Sequence, residues 1–531
     1  MKKLFGISTL TITCLYGLLA GIIILVVLLT GGDVLIAIGA SLVILFVQFL
    51  ISPWITDVTM KWFYGAKFGG EIPEYLEEFI TEVCKKHDIK YPKIGFIDDG
   101  GPNAFTYGRT KKDARIVFTR GILELLKEDE VKAVVGHELG HIAHRDMMVM
   151  TFAQAVPLIL YAIYEACTRM DSGSDNKNSG KLAAVGLIAY LLYIVSEYII
   201  LWLSRTREYY ADEFAVDELK NPAALAEALV KIGFGLATKS TATKHDVSKK
   251  NALGIFDKGA SKAMSIASMD EKGISKDRIK KAMKWEMWNP WAKWFEFNST
   301  HPLISKRLQA ISKKSKEYNQ KPYIEFDLKK PESYVDDFLL EVLIAFLPTL
   351  SFIISLVLVI ILIVSEANIN MYFVIGICCL VMLLFSFIKF KRAHKKQYKE
   401  TTVEDLLGEV KVSHITSVPC IIKGEIIGKG NPGCIFNEDF IVKDETGIMF
   451  LDYNQPLWII NKIFALFKSK EYFNKIVEVK GWYRRSPVPY VEIYEYTIDG
   501  KVKKIFTYGL TIGLYVVWLA ISLGLILFGL M

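Results

Sequence analysis

Seven runs of apolar residues, each near the length that crosses a bilayer as a helix, limit what this 531-residue chain can become more than any other feature. They lie at about 5–30, 34–52, 147–168, 182–203, 338–364, 370–389 and 505–530. A helical crossing needs about 20 mostly apolar residues, and diffuse core composition does not gather into blocks of that size. With 52% hydrophobic residues and a mean hydropathy of +0.29, the chain reads as a membrane protein and not as an ordinary soluble enzyme.

The first run follows Lys2 and Lys3, as a secretory signal would. It is too long for one, no small-residue cleavage site follows, and the second run begins just after Gly31-Gly32-Asp33. The pair therefore reads as a helical hairpin anchor. The formal net charge is only +7, so its placement is what informs. With a cytoplasmic amino terminus, the basic segments 61–67, 204–337 and 389–399 all fall on the cytoplasmic side, as the positive-inside rule asks. The seven cysteines are scattered with no CxxC pair, so they read as small core residues and not as a disulfide or metal framework.

The chemistry sits in Val135-Gly136-His137-Glu138-Leu139-Gly140-His141. Histidines four apart share one face of a helix, so both imidazoles can bind one Zn2+ while Glu138 stays free as general base for water. The bland alternative is a pair of satisfied surface histidines on an amphipathic helix. This helix is expected to start near Glu128-Asp129-Glu130, whose acidic first turn suits the positive end of the helix dipole. Upstream, from about residue 68, the pattern is that of a soluble α+β unit. It has a helix over 71–86, a strand at 93–98, a turn at Gly100-Gly101-Pro102-Asn103, and strands at 104–108 and 115–119.

A catalytic zinc site needs a third protein ligand and an open position. Glu208, in Ser204-Arg205-Thr206-Arg207-Glu208-Tyr209-Tyr210-Ala211-Asp212, is the strongest candidate. Asp212, one turn on, can accept a hydrogen bond from a ligand histidine and fix its tautomer. Taken alone, the segment would equally suit a solvated charged face with Arg205 and Arg207. Glu197 precedes Glu208 by about three turns, on the same face and deeper in the membrane. It is expected either to line a cavity reaching from the zinc into the bilayer or to be a buried partner for another helix. His144, three residues past His141, is turned off the ligand stripe.

His-Glu-Leu-Gly-His at 137–141, Ser-Arg-x-Arg-Glu-x-x-Ala-Asp at 204–212 and the spanning hairpin between them resemble the HtpX-like membrane zinc metalloproteases, relatives of the CAAX prenyl endopeptidases. Pro102-Asn103-Ala104-Phe105 is similar to that family's Asn-Ala-Phe segment near the cleft. Ser299-Thr300-His301-Pro302 with Arg307 is similar to its Thr-His-Pro...Arg segment. The resemblance covers about residues 1–310. It implies a gluzincin-type fold, zinc on His137, His141 and Glu208, and cleavage of membrane or misfolded proteins from the cytoplasmic side. It also makes His301 the expected oxyanion donor, with Tyr107 and Tyr210 weaker candidates. Asn103, Ala104 and Phe105 would belong to an edge strand on which a substrate backbone pairs, a purely structural edge strand being the alternative.

Family members typically have four spanning helices, so the remainder of this chain departs from the pattern. Strand-like runs at 409–416, 419–428, 440–452, 476–484 and 488–497, with a helix at 458–467 between the third and fourth, fit an OB-type barrel. Trp482, Tyr483, Arg484 and Arg485 would be a stacking and cationic patch for nucleic acid. Flanking membrane helices argue against that, and recruitment of a protein partner or substrate is expected instead. Trp285, Trp288, Trp291 and Trp294 read as an interfacial aromatic belt.

The expected architecture is an α+β zincin-type metalloprotease domain embedded in a multi-spanning α-helical membrane protein, with a second, small all-β domain. Its parts are an amino-terminal hairpin at 1–67, a protease domain at 68–337 with a spanning hairpin inserted at 147–203, and a hairpin at 338–400. An OB-like domain at 401–500 and a last span at 501–531 complete it. The expected partners are protein or peptide substrates and membrane lipid. A prenyl-protein endopeptidase is the narrower rival; a non-catalytic scaffold with a structural zinc is the rival of another class, and Glu138 argues against it.

Overall fold

The computed structural model describes residues 2–30, 34–63, 66–97, 104–119, 122–123, 126–171, 179–235, 276–325, 331–366, 369–429, 438–446, 448–472, 475–486 and 488–531. Among these, six helices are long and apolar enough to cross a membrane: Lys3–Leu28, Asp146–Arg169, Gly180–Leu219, Val335–Val364, Met371–Ala393 and Thr507–Leu530. The remaining expected crossing, 34–52, falls inside the helix Val34–Phe63.

The chain divides into two compact units. Met1–Ile232 and Phe295–Glu325 belong to the first. Its polar part holds a four-stranded sheet in the order Lys67–Phe68, Lys93–Ile97, Ala114–Thr119, Ala104–Gly108. The central pair is parallel, and Ala104–Gly108 runs antiparallel at the edge. Helices Glu74–Lys86 and Glu128–Ala143 supply the apolar faces of the core. Val131, Val135, Leu139 and Ile142 recur at helical spacing and pack with Ile80, Ile116 and Phe118. That stripe turns the opposite face of Glu128–Ala143, with His137 and His141, away from the sheet. A second apolar core lies among the spans, where Leu15, Leu19 and Ile22 of the first helix meet Val156, Leu160, Ala189 and Leu203 of the inserted hairpin.

Two local features aim this hairpin. Arg145 takes a left-handed backbone (φ +59°) directly after the histidine helix, a conformation uncommon outside glycine, and so the chain reverses before Asp146. The returning helix Ser179–Leu219 is continuous over 41 residues. At 1.5 Å per residue it is about 60 Å long, roughly twice a bilayer's hydrocarbon thickness, so it runs out of the membrane as one rigid rod.

The second unit contains 276–294 and 331–531 among the described residues. Val418–Lys429, Phe440–Lys443, Ile448–Asp452, Val488–Ile498 and Ile476–Ser486 pair in that order and close back on the first, so no edge is left within the ring. The Ile448–Asp452 to Val488–Ile498 pairing is parallel and the others antiparallel, and the helix Trp458–Phe467 falls between the third and fourth strands in sequence. This is the OB arrangement. The strand expected at 409–416 does not form; that segment is loop, and the run at 440–452 is two strands split by a turn at Asp444.

One further expectation is corrected. Trp285 and Trp291 are buried, not interfacial: Trp285 Nε1 donates to Val412 O at 2.8 Å and Trp291 Nε1 to Glu341 at 2.6 Å. An indole N–H carried into a core requires such an acceptor. Trp482, Tyr483, Arg484 and Arg485 are buried too, with Arg484 bonded to Glu492 and to the carbonyls of Ala393 and His414, so they offer nucleic acid no surface.

Candidate functional site

The histidine helix meets the 41-residue rod at glycines. A Cβ on Gly140 would lie 3.1 Å from the Ala211 Cα and 3.2 Å from the Phe214 Cβ, and one on Gly136 would lie 3.3 Å from the Ala215 Cα. The absence of those atoms lets the two helices close on each other, which brings Glu208 to the histidines. Its Oε1 is 3.5 Å from His141 Nε2 and its Oε2 is 3.6 Å from His137 Nε2.

Each imidazole is held from behind by a carboxylate. His137 Nδ1 is 2.9 Å from Asp212 Oδ1, and His141 Nδ1 is 2.6 Å from Asp146 Oδ2. A carboxylate can only accept, so both Nδ1 atoms carry protons and both Nε2 lone pairs point inward. The two Nε2 atoms are 3.1 Å apart. Two lone pairs at that distance repel unless a cation sits between them.

The field around them has the matching sign. Burial opposes charge on His137, yet the hydrogen bonds and charges of Asp212 and Glu208 outweigh it and push the ring up to about 10. His141 is raised the same way, burial being overcome chiefly by Asp146. The site thus attracts a cation, whether proton or metal. Glu138 Oε1 is buried with no hydrogen-bond partner, and His137, Glu138 and His141 bring their donor atoms within 4.8 Å of one another. This inventory of two imidazoles and a carboxylate, with a further carboxylate left over, fits a divalent ion of zinc's preferences.

The outer carboxylates are themselves anchored. Arg307, fully buried, donates from Nε to Asp212 Oδ2 at 2.8 Å and reaches Glu208 Oε2 at 3.5 Å. Arg207 bonds Asp146, the His144 carbonyl and the Ser8 hydroxyl. His301 Nδ1 lies 3.0 Å from Glu208 Oε2, and its ring remains partly open to solvent. Burial pushes the Glu138 carboxyl above its ordinary range, against the opposing charges of His141 and His137.

His137, Glu138, His141, Glu208, Asp212 and His301 therefore converge. Ala104 and Phe105 lie on the edge strand Ala104–Gly108, with Ala104 buried and Phe105 half-buried, while Asn103 lies outside the described residues. Glu197 is half-buried, with no hydrogen bond or ion pair among the described residues. Tyr107 is occupied elsewhere, donating to Asp57 at 2.6 Å, and Tyr210 packs against His144. Tyr107 is therefore not placed as an oxyanion donor. His144 turns its ring away, between Tyr210 and Phe214.

Asp146 is the residue that sequence reasoning missed. It sits one residue beyond a left-handed turn, where helical spacing no longer says what faces what. The only signal was an acid at the first position of a span, where apolar residues are expected.

Residues 73–315 match the family model described as Peptidase family M48. The chain is similar to two proteins named Protease HtpX homolog. The one from Methanothermobacter thermautotrophicus is 41% identical over 220 residues, 41% of this chain and 81% of the relative. The one from Picrophilus torridus is 30% identical over 272 residues, 50% of this chain and 80% of the relative. The crystal structure of S. mikatae Ste24p aligns with a TM-score of 0.33 at 18% identity, over 59% of this chain and 67% of that one.

Proposed function

This chain belongs to peptidase family M48 and is an integral membrane metalloendopeptidase; from that premise we propose that it holds zinc through His137, His141 and Glu208 and cleaves membrane or misfolded proteins at the cytoplasmic face. The observation that carries the reading is the meeting of both Nε2 atoms with Glu208, each imidazole backed by its own carboxylate.

When bound, zinc supplies Lewis acidity, which polarises a carbonyl oxygen and makes water a better nucleophile near neutral pH. Glu138 takes the proton of the attacking water and returns it to the leaving amine nitrogen, so the peptide bond breaks with no net change at the glutamate. His301, its Nδ1 turned to Glu208, donates to the oxyanion from Nε2 when the ring is imidazolium, with a proton on both nitrogens. Asp212 and Asp146 hold the ligand tautomers.

The strand Ala104–Gly108 is outermost in its sheet, and an extended substrate would pair along its unpartnered side, past Ala104 and Phe105. Backbone pairing of that kind is indifferent to most side chains, which suits unfolded chains as substrates. Glu197, three turns towards the membrane from Glu208, faces the path by which a membrane-embedded segment would arrive. The placement of lysine and arginine supports a cytoplasmic site.

The test is cleavage of a generic unfolded protein by the purified full chain. The reading expects activity that is lost with chelator, restored by zinc and absent from Glu138→Gln. Cleavage confined to a prenylated CAAX peptide would replace it with the narrower activity. An unfolded substrate left intact under all conditions would overturn it.

A further inference from the structure

The helix Trp458–Phe467 carries a face that nothing among the described residues covers. Trp458 is 69% exposed, Ile459 52%, Ile463 53% and Phe467 75%, a run of large apolar side chains along one side of ten residues. Its other side is well packed. Phe464 stacks on Tyr453 with ring centroids 4.2 Å apart, and Ala465 and Asn461 are buried. The helix is therefore firmly placed on the barrel, and its apolar face points outward.

Hydrogen bonds tie this helix to the entrance of the last span. Asn461 clasps the preceding loop, accepting from Gln455 N at 2.8 Å and donating to Gln455 O at 3.2 Å. The Gln455 side chain accepts from Phe506 N at 3.1 Å, and Thr507 donates to the Asn454 carbonyl. Phe506 and Thr507 are where Thr507–Leu530 begins, and Phe506 is itself 69% exposed. The uncovered face thus continues directly into a helix that crosses the bilayer.

We propose that Trp458–Phe467 is an interfacial helix whose apolar face is buried in the lipid leaflet beside the last span, seating the barrel on the membrane surface. Amphipathic helices with large aromatic and aliphatic residues on one side bind in this way, and Trp458 suits the headgroup boundary. The occupant is lipid because the span brings the bilayer edge to this face whatever other proteins are present. A barrel so seated gains a third attachment to the membrane, beside the spans Met371–Ala393 and Thr507–Leu530 that flank it.

The test uses the full chain in nanodiscs of phosphatidylcholine and phosphatidylglycerol, with acyl chains either plain or brominated. The emission of wild type minus that of Trp458→Phe isolates Trp458. The proposal expects this difference spectrum to be blue-shifted and to lose more than half its intensity in the brominated discs. A red-shifted spectrum unaffected by bromine means that the face is in water and overturns the proposal. A blue-shifted spectrum insensitive to bromine means that a second copy or another protein surface covers it, which overturns the proposal equally. The doubly substituted Trp458→Phe/Ile463→Trp protein repeats the measurement one turn further along, where quenching is again expected.

Discussion

His141 Nδ1 stands 2.6 Å from Asp146 Oδ2, although the two residues belong to different helices separated by a left-handed turn at Arg145. The other oxygen of Asp146 is held by Arg207, which also caps the His144 carbonyl. The first span of the inserted hairpin thereby positions a metal ligand. Replacing Asp146 with Asn should weaken metal retention by roughly 10- to 100-fold, as loss of such supporting contacts does elsewhere, while the fold persists. Metal titration with a competing chelator measures this, and unchanged affinity would show the contact to be idle.

Glu138→Gln and His137→Ala should fail differently. The glutamine keeps the ligand set, so metal content should match wild type while turnover falls by about 10²- to 10⁴-fold, the range of a lost general base. The alanine removes a ligand, so metal and activity should go together. Elemental analysis of the purified proteins beside a peptidase assay separates the two. An active Glu138→Gln enzyme would sink the assignment of the base.

Gly140 is a packing requirement of the site. A Cβ there meets the Ala211 backbone at 3.1 Å, so Gly140→Val must push the rod away from the histidine helix. Overpacking of this kind costs about 1–3 kcal/mol, and here it also draws Glu208 away from both imidazoles. Lower thermal stability together with weaker metal binding is expected. Loss of stability with metal affinity intact would mean that Glu208 reaches the metal without this close approach.

Arg307 carries the charge balance behind the ligands. It is buried against Asp212 and Glu208, and removing one partner of a buried pair costs about 3–5 kcal/mol by stranding the other charges. Arg307→Met should therefore yield little folded protein. Arg307→Lys, which keeps the charge but loses the fork that bridges both carboxylates, should fold with impaired activity. Size-exclusion profiles and peptidase assays of the two variants check this, and a fully active lysine variant would contradict it.

The barrel should respond to pH through Asp452. Burial, then Asp439 and Glu492, push this carboxyl up to about 7, against an ordinary 3.8. A raised folded value means that the native state binds the proton more tightly. The resulting stabilisation is present in full below 3.8 and is lost as pH rises to about 7. Hydrogen exchange across 440–452 should accelerate between pH 5 and roughly 8 beyond its intrinsic chemical rate, and Asp452→Asn should flatten that excess. An identical excess in the asparagine variant would exonerate the residue.

The features legible in the residues alone share a physical basis. Helical spacing is local, so His137 and His141 could be placed on one face, and Asp212 one turn from Glu208, without any fold. The apolar runs declared their helices because length and burial in lipid are properties of the segment itself. The alternation of strands around 458–467 was enough for the barrel because its strand order follows from closure of the ring. Where contacts are made across the fold, pattern misled. Trp285 and Trp291 carry the composition of an interfacial belt but are drawn inward by Val412 O and Glu341, acceptors 127 and 50 residues downstream respectively. Tyr107 has the hydroxyl of an oxyanion donor but donates it in a hydrogen bond to Asp57, fifty residues upstream.

By itself, then, the sequence determined the chemistry on offer: two imidazoles and a spare carboxylate on one helix, a second acid pair on another, and a chain that enters the membrane between them. Only the tertiary structure decided what those groups do to one another. It closed two helices over Gly136 and Gly140, returned Asp146 to His141 and laid Arg307 behind Asp212. Such contacts join residues far apart in the chain or, for Asp146 and His141, on either side of a turn that breaks the helical spacing, and their energy depends on distance and burial, which no local pattern encodes.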